Sequence, residues 1–191
     1  PGVRSKRERH MTTGFDSTQF QMIGCCKIDL DQSVLDQIRP VVETEQWAEV
    51  LSEGVRLAVW SNKVTLNPPR YKVLLDHLDE LTEQIFGRGY QRHMLSMWNG
   101  SEQLDWHNHV DDRELKQFHW IVYLGSDTWC EQAGGLLQVK NAMMDDVLTF
   151  EPTFGTAVLL NNTHPAFLHK VTPFTPVRTR IIFQVGYEYI G

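Results

Sequence analysis

Residues 167–185 read FLHKVTPFTPVRTRIIFQV, which is two short apolar runs separated by a segment rich in turn-forming residues. The runs at 167–171 and 178–185 have the length and the content of Val, Ile and Phe that are typical of β-strands. Pro173 and Pro176 lie between them, and proline is confined to turns and sheet edges. The stretch therefore predicts two strands joined by a loop.

Short runs of the same kind fill the second half of the chain. They lie at 92–97, 117–124, 136–139, 147–150 and 156–160. Seven or eight such strands make two facing sheets. We therefore expect a mainly β fold with flanking α-helices and a double-stranded β-helix core of the jelly-roll or cupin-like kind.

The first half predicts the elements that support this core. We expect a strand at 21–30, a helix at 33–38 stopped by Pro40, and a second short helix at 44–52. A longer helix follows Asn67-Pro68-Pro69 and ends before Gly87, because Leu74, Leu78, Leu81 and Ile85 recur at helical spacing. Residues 1–13 are interpreted as a disordered tail or an expression remnant. Residues 14–191 then form one domain, with helical support at 31–87 and the barrel core at about 91–188.

The composition and charge of the chain exclude some classes of partner and location. The 191-residue chain has a formal net charge of −6, and its first ten residues are basic, so the remainder is more acidic than the whole. Nucleic acid is therefore not an expected partner. No apolar run approaches the roughly 20 residues that cross a bilayer. Cys25, Cys26 and Cys130 form no disulfide framework, and we expect a cytoplasmic protein.

Residues 106–111 read WHNHVD. His109 and Asp111 are two apart, so on a strand both side chains would project from one face and could share a metal. With His169 they give the two-histidine, one-carboxylate set that binds catalytic Fe(II) and leaves positions open for substrate and O2. We predict these three residues as the metal ligands and the catalytic centre.

Two other histidines compete for these roles. His107 shares the strand face of His109 and could itself ligate a metal, but only His109 has an aspartate two residues later. We expect His107 beside the metal or facing the substrate. His164 competes with His169, but it lies among turn formers ahead of Pro165. The remaining histidines, His10, His77, His93 and His119, have no partner at ligand spacing.

These residues resemble a known family. His109-Val110-Asp111 and His169-Lys170-Val171-Thr172-Pro173 with Arg178 are similar to the Fe(II)- and 2-oxoglutarate-dependent oxygenases, most closely the prolyl 4-hydroxylase-like branch. The run 121–124, the turn Gly134-Gly135 and the strands before His169 also fit. The resemblance covers roughly residues 90–188.

The resemblance assigns further roles. It implies that Arg178 binds the 5-carboxylate of 2-oxoglutarate, since a guanidinium pairs bidentately with a carboxylate. Arg180 is two residues further on and would lie on the same strand face as Arg178, so it could bind the carboxylate in place of Arg178 or face the substrate. Tyr123 would donate its hydroxyl to the same carboxylate, and Trp98 could line the substrate pocket.

The implied activity is that of a dioxygenase that uses Fe(II), 2-oxoglutarate and O2 to hydroxylate an unactivated C–H bond, releasing succinate and CO2. The substrate would be a prolyl or other amino-acid residue, in a peptide or a small molecule. Two alternatives remain: a cupin-like metalloprotein, such as an isomerase or another dioxygenase, and a non-catalytic binding module. The sequence leaves the oligomeric state open.

Overall fold

The computed structural model describes residues 14–46, 48–49, 56–61, 69–99, 104–110, 117–175 and 178–191. The tail predicted at 1–13 lies outside these ranges. Within them the chain forms three α-helices: α1 (Ser17–Ile23), α2 (Gln32–Glu43) and α3 (Lys72–Phe86). The strands in the same ranges are β1 (Cys25–Asp29), β2 (Ala48–Glu49), β3 (Arg56–Ser61), β4 (Tyr90–Asn99), β5 (Leu104–His107), β6 (Phe118–Tyr123), β7 (Leu137–Asn141), β8 (Val147–Phe150), β9 (Thr156–Asn161), β10 (Phe167–Val171) and β11 (Ile181–Tyr189).

The described strands form two antiparallel sheets. The larger has the order β1-β9-β6-β11-β4-β3-β2, and the smaller has the order β5-β10-β7-β8. An apolar core lies between them and is built from Tyr123 and Ile121 of the large sheet, Leu137 and Val139 of the small sheet, and Ile23 from the end of α1. This is the predicted arrangement of two facing sheets.

A second apolar core joins the outer face of the large sheet to the helices. Leu74, Leu78 and Leu81 of α3 lie in it together with Trp120 and Val122 of β6. Alternate residues of a strand point to opposite faces, so Ile121 and Tyr123 enter the core between the sheets while Trp120 and Val122 face the helices. Every residue of β6 is buried for this reason, and the interior face of the strand carries functional side chains.

The structure corrects the prediction of a strand at 21–30. Residues 17–23 are helical, and only Cys25–Asp29 is a strand. Asp16 caps the helix by accepting a hydrogen bond from the Gln19 N–H, and Gly24 ends it with a φ of 85°. Both signals are present in the sequence, but the continuous apolar content hides the boundary.

Two helix predictions also need correction. Helix α2 continues through Pro40 to Glu43, because Val34, Leu35, Ile38 and Val42 keep one face buried in the core. In the helix predicted at 44–52, Ala48–Glu49 is instead a short strand, and residues 47 and 50–52 lie outside the described ranges. The helix predicted before Gly87 is confirmed as α3.

All seven strands predicted between 92 and 185 are present, with bounds that differ by a few residues. The strands β2, β3 and β5 were not predicted. In β5 the sequence LDWH has two exposed residues followed by two half-buried ones and no regular alternation, so its strand character comes from pairing with β10. Among the described residues, no helix is long and apolar enough to cross a bilayer.

Candidate metal centre

Three histidines converge near the edge of the small sheet. His107 is the last residue of β5 and lies directly opposite His169 of the adjacent strand β10. Directly paired residues project from the same face, so both imidazoles share the interior face with Val139, the partner of His169 on β7. His109 lies two residues beyond the end of β5, outside regular strand structure.

The histidines have the spacing of metal ligands. One ring nitrogen from each of His107, His109 and His169 lies within 4.8 Å of the other two. The Nε2 atoms of His109 and His169 are 3.1 Å apart. Two nitrogens at about 2.1 Å from one metal in adjacent octahedral positions would be separated by about 3.0 Å. The structure therefore brings His109 and His169 together as predicted, whereas Asp111 lies outside the described residues.

The surroundings keep His169 in the protonation state that metal binding needs. Burial lowers the pKa of His169 well below its ordinary value, and the neighbouring imidazoles of His119, His107 and His109 lower it further. A metal binds the neutral ring. Imidazole and carboxylate ligands suit divalent iron and its neighbours in the first transition row, so the donor set fits the predicted metal.

His119 is a site residue that the sequence analysis missed. It is buried on β6, and its ring centre lies 5.7 Å from that of His109 and 5.9 Å from that of His169. Its Nδ1 is 2.8 Å from the amide nitrogen of Asn162, and desolvation is the main cause that lowers its pKa to about 3. The sequence did contain a sign of this position. Alternate residues of a strand share one face, so His119 lies on the same face of β6 as Ile121 and Tyr123.

The buried guanidinium belongs to Arg180. Its side chain is 1% exposed, whereas Arg178 is exposed. The sequence analysis favoured Arg178 for the cosubstrate carboxylate, but the structure places its side chain in an exposed position. The physical reason is that β11 starts at Ile181, three residues later than predicted, so Arg178 belongs to the loop before it. Arg180 keeps the parity of Ile182, which is paired with Tyr123.

Arg180 and Tyr123 form a polar pair inside the barrel. The Arg180 Nε donates to the Gly135 carbonyl at 2.9 Å, and one terminal nitrogen lies 3.5 Å from the Tyr123 hydroxyl. Burial raises the pKa of Tyr123, so the phenol keeps its proton. The two groups can together offer several N–H and O–H donors to an anion.

Gly135 makes room for this arginine. Its φ is 64°, and a Cβ there would lie 3.0 Å from the Arg180 Cδ and 2.9 Å from the Phe174 ring. The Gly-Gly turn quoted in the sequence analysis therefore has a specific function. It lets the backbone approach the guanidinium and accept its Nε hydrogen bond.

Trp98 lies on the same interior wall, opposite Ile182 on β4. Its Nε1 donates to the Ser96 hydroxyl at 3.0 Å, which in turn donates to Gln184 at 3.3 Å. The Trp98 side chain is half-buried. By contrast, His164 lies in an exposed turn and its Nδ1 accepts the Ala166 N–H.

The comparisons with known proteins decide the family. The sequence profile of the 2OG-Fe(II) oxygenase superfamily matches residues 87–186, slightly more than half of the chain. The chain belongs to this superfamily. The match spans His107, His109, His169 and Arg180, and it confirms the resemblance found in the sequence. No curated protein matches the chain by sequence.

Solved structures with a similar fold include several members of this superfamily. The prolyl hydroxylase from Trichoplax adhaerens, in complex with a hypoxia inducible factor peptide fragment, is 19% identical with a TM-score of 0.64; the alignment covers 91% of this chain and 86% of that one. A Pseudomonas putida prolyl-4-hydroxylase is 15% identical with a TM-score of 0.60, covering 91% and 97%. HygX from Streptomyces hygroscopicus, with nickel and 2-oxoglutarate bound, is 13% identical with a TM-score of 0.64, covering 92% and 87%. These similarities confirm the double-stranded β-helix fold.

Membership identifies the chemistry of the centre. Enzymes of the superfamily use Fe(II), 2-oxoglutarate and O2, so the chain is an oxygenase with these cofactors. The histidine cluster is the candidate metal site within the described part of the chain.

Proposed function

We propose that this oxygenase hydroxylates an unactivated C–H bond of a prolyl or other amino-acid residue, or of a small amino-acid-derived molecule, and releases succinate and CO2. The observation that carries this proposal is the buried guanidinium of Arg180, which contacts Tyr123 on the strand face that also carries His119 beside the histidine cluster. The bound iron and cosubstrate supply the oxidising chemistry. The chain supplies ligands, orientation and a pocket sheltered from water.

In this proposal, His109 and His169 bind the metal through Nε2, and Asp111 completes the set. Burial of His169 and its lowered pKa keep its lone pair available at neutral pH. Asp111 follows His109 by two residues in sequence. Its charge would offset part of the charge of a divalent ion. The open positions on the metal then remain for the cosubstrate and O2.

Arg180, rather than Arg178, would bind the 5-carboxylate of 2-oxoglutarate. A buried carboxylate needs a charged partner and several hydrogen bonds to offset its loss of hydration. Arg180 supplies the charge and N–H donors, and the protonated Tyr123 hydroxyl adds one more donor. Tyr123 shares the interior face of β6 with His119, roughly 13 Å away along the strand, and His119 packs beside the metal histidines.

An amino-acid substrate is proposed from the kinds of protein that share the fold. Two of the similar structures are prolyl hydroxylases, and one of these is a complex with a peptide. The half-buried ring of Trp98 offers an apolar surface to such a substrate. The acidic net charge favours peptides or small molecules over nucleic acid. We also place the protein in the cytoplasm, because three reduced cysteines fit a reducing compartment.

One observation favours the cupin-like alternative, namely that three imidazoles meet at the site. The buried Arg180 argues against it. A metalloprotein that binds no dicarboxylate has no need for a guanidinium held inside the barrel, where its charge is costly. The superfamily match also favours the oxygenase over both this alternative and a non-catalytic binding module.

The test is turnover with purified protein, Fe(II) and 2-oxoglutarate, measured as oxygen consumption and succinate formation. The panel contains prolyl peptides, free amino acids and a reaction without substrate. We expect succinate to rise with at least one prolyl or amino-acid substrate and His169→Ala to abolish it. If 2-oxoglutarate neither binds the metal-loaded protein nor is consumed with any substrate, the proposal fails.

A further inference from the structure

We propose that His107 is an additional, displaceable metal ligand, which holds the metal before 2-oxoglutarate binds and leaves it when the cosubstrate chelates. This inference rests on the proposed function. It assigns a role to a residue outside the two-histidine, one-carboxylate set.

The first support is the position of the ring. His107 and His169 are cross-strand partners on β5 and β10, so their rings lie on one sheet face with centres 4.3 Å apart. The ring of His107 is also 4.9 Å from that of His109. A ring nitrogen of His107 therefore lies within 4.8 Å of the ligand atoms of both other histidines. The sheet itself, rather than a loop, fixes this position.

The second support is the tautomer. The His107 Nδ1 lies 2.6 Å from the backbone carbonyl oxygen of Asp105. A carbonyl only accepts hydrogen bonds, so Nδ1 carries the proton and Nε2 of the neutral ring carries the lone pair. Metal-binding histidines commonly donate their second ring N–H to a carbonyl or carboxylate, which fixes the ring and raises its basicity. His107 is thus prepared to donate to a metal.

The coordination number explains why this ligand must leave. Three imidazoles and the Asp111 carboxylate would fill four of the six octahedral positions, and a chelating 2-oxoglutarate would fill the other two. No open position would remain for the reaction. If His107 leaves when the cosubstrate binds, one position is open again. Rotation of the His107 side chain away from the metal would be enough for this, and the pairing of β5 with β10 would remain.

The experiment uses the full-length apo-protein and Co(II) as the probe, under argon. Co(II) affinity is measured by visible absorption with and without saturating 2-oxoglutarate. Affinity for 2-oxoglutarate is measured by calorimetry on the Co(II)-loaded protein. The variants are His107→Ala, His107→Phe, which keeps the ring volume beside His169 but has no lone pair, and His164→Ala as a control in an exposed turn.

We expect both His107 variants to weaken Co(II) binding roughly 10- to 100-fold in the absence of 2-oxoglutarate, with little loss in its presence. Because coupling between two ligands is reciprocal, the same variants should bind 2-oxoglutarate more tightly by the same factor once Co(II) is loaded. His164→Ala should change neither constant. Proton NMR of the Co(II) protein should also lose one exchangeable, paramagnetically shifted imidazole N–H signal when 2-oxoglutarate is added.

Unchanged Co(II) and 2-oxoglutarate affinities in both His107 variants would overturn this inference and leave the proposed function intact. Weaker Co(II) binding without tighter 2-oxoglutarate binding would overturn the displacement. A different result, in which the unaltered protein binds neither Co(II) nor 2-oxoglutarate, would overturn the proposed function itself. Circular dichroism identifies a variant that fails to fold, and for such a variant the N–H signals of the unaltered protein decide.

Discussion

Replacing Arg180 with alanine should weaken 2-oxoglutarate binding far more than replacing Arg178. Arg180 is 1% exposed, and its Nε donates to the Gly135 carbonyl, which fixes the orientation of the guanidinium. Truncating one side of a buried charged pair costs about 2–5 kcal/mol. About 1.4 kcal/mol corresponds to tenfold in affinity, so the dissociation constant should rise roughly 30- to several-thousand-fold.

Two further variants separate charge from geometry at the same place. Arg180→Lys keeps the charge but lacks the planar fork that pairs bidentately with a carboxylate, so we expect a smaller loss than for alanine. Tyr123→Phe removes one hydrogen bond to a charged group, a loss of about 1.5–3 kcal/mol. That is roughly 10- to 150-fold in affinity. Arg178→Ala is the matched control, because its side chain is exposed.

The assay is calorimetric titration of 2-oxoglutarate into protein loaded with Mn(II), with metal affinity measured separately. Metal binding should be unchanged in all four variants. Thermal unfolding checks that each variant is folded. If Arg178→Ala weakens 2-oxoglutarate binding and Arg180→Ala does not, the assignment drawn from burial is refuted. If neither matters, the cosubstrate is held by neither arginine and the proposed function loses its main support.

Three other outcomes follow from the described side chains. Gly135→Ala should weaken 2-oxoglutarate binding in the same titration, because its Cβ would press on Arg180 and Phe174, whereas Gly87→Ala, which also has a positive φ but open space, should lower only the melting temperature. Cys25 and Cys26 are buried, and burial raises the pKa of Cys25 to about 12. Iodoacetamide near pH 8 should therefore label only Cys130 in the folded protein and all three cysteines after denaturation, as counted by mass spectrometry. Rapid labelling of Cys25 in the folded protein would contradict its burial. Burial also raises the pKa of the Asp79 carboxyl, so this group is protonated at a higher pH in the folded state than in the unfolded state. The contribution of Asp79 to stability therefore increases as the pH falls through the folded-state pKa toward the ordinary value of about 3.9. The free energy of unfolding, measured with denaturant, should rise for the unaltered protein relative to Asp79→Asn as the pH falls over that window. A difference between the two proteins that does not change with pH would refute the raised pKa.

The second half of the fold was predictable because turn-forming residues separate its short apolar runs. Runs such as 147–150 and 167–171 were placed with the bounds that the structure has, since turn formers surround each apolar run. The first half was harder. The apolar residues on either side of Gly24 belong to a helix and a strand in succession, and periodicity cannot separate them when both are short.

The candidate site shows the same division. His109 and His169 follow from residue type and spacing, and the structure brings them together. The choice between Arg178 and Arg180 depended on where β11 starts, which is a question of a few residues at a strand end. His119 became visible only when β6 was known to have one face toward the histidines. Strand ends and strand faces are set by pairing across the sheet, which a single run of sequence does not contain.

Strand β5 has a consequence for how the centre assembles. It has four residues, lies at the edge of the small sheet, and among the described strands pairs with β10 alone, with an irregular register between His169 and Val171. A metal bound by His107 on one strand and His169 on the other would therefore act as a crosslink across this edge. Metal affinity and the pairing of this edge strand would then be coupled, and metal loss would weaken the attachment of the strand that ends at His107.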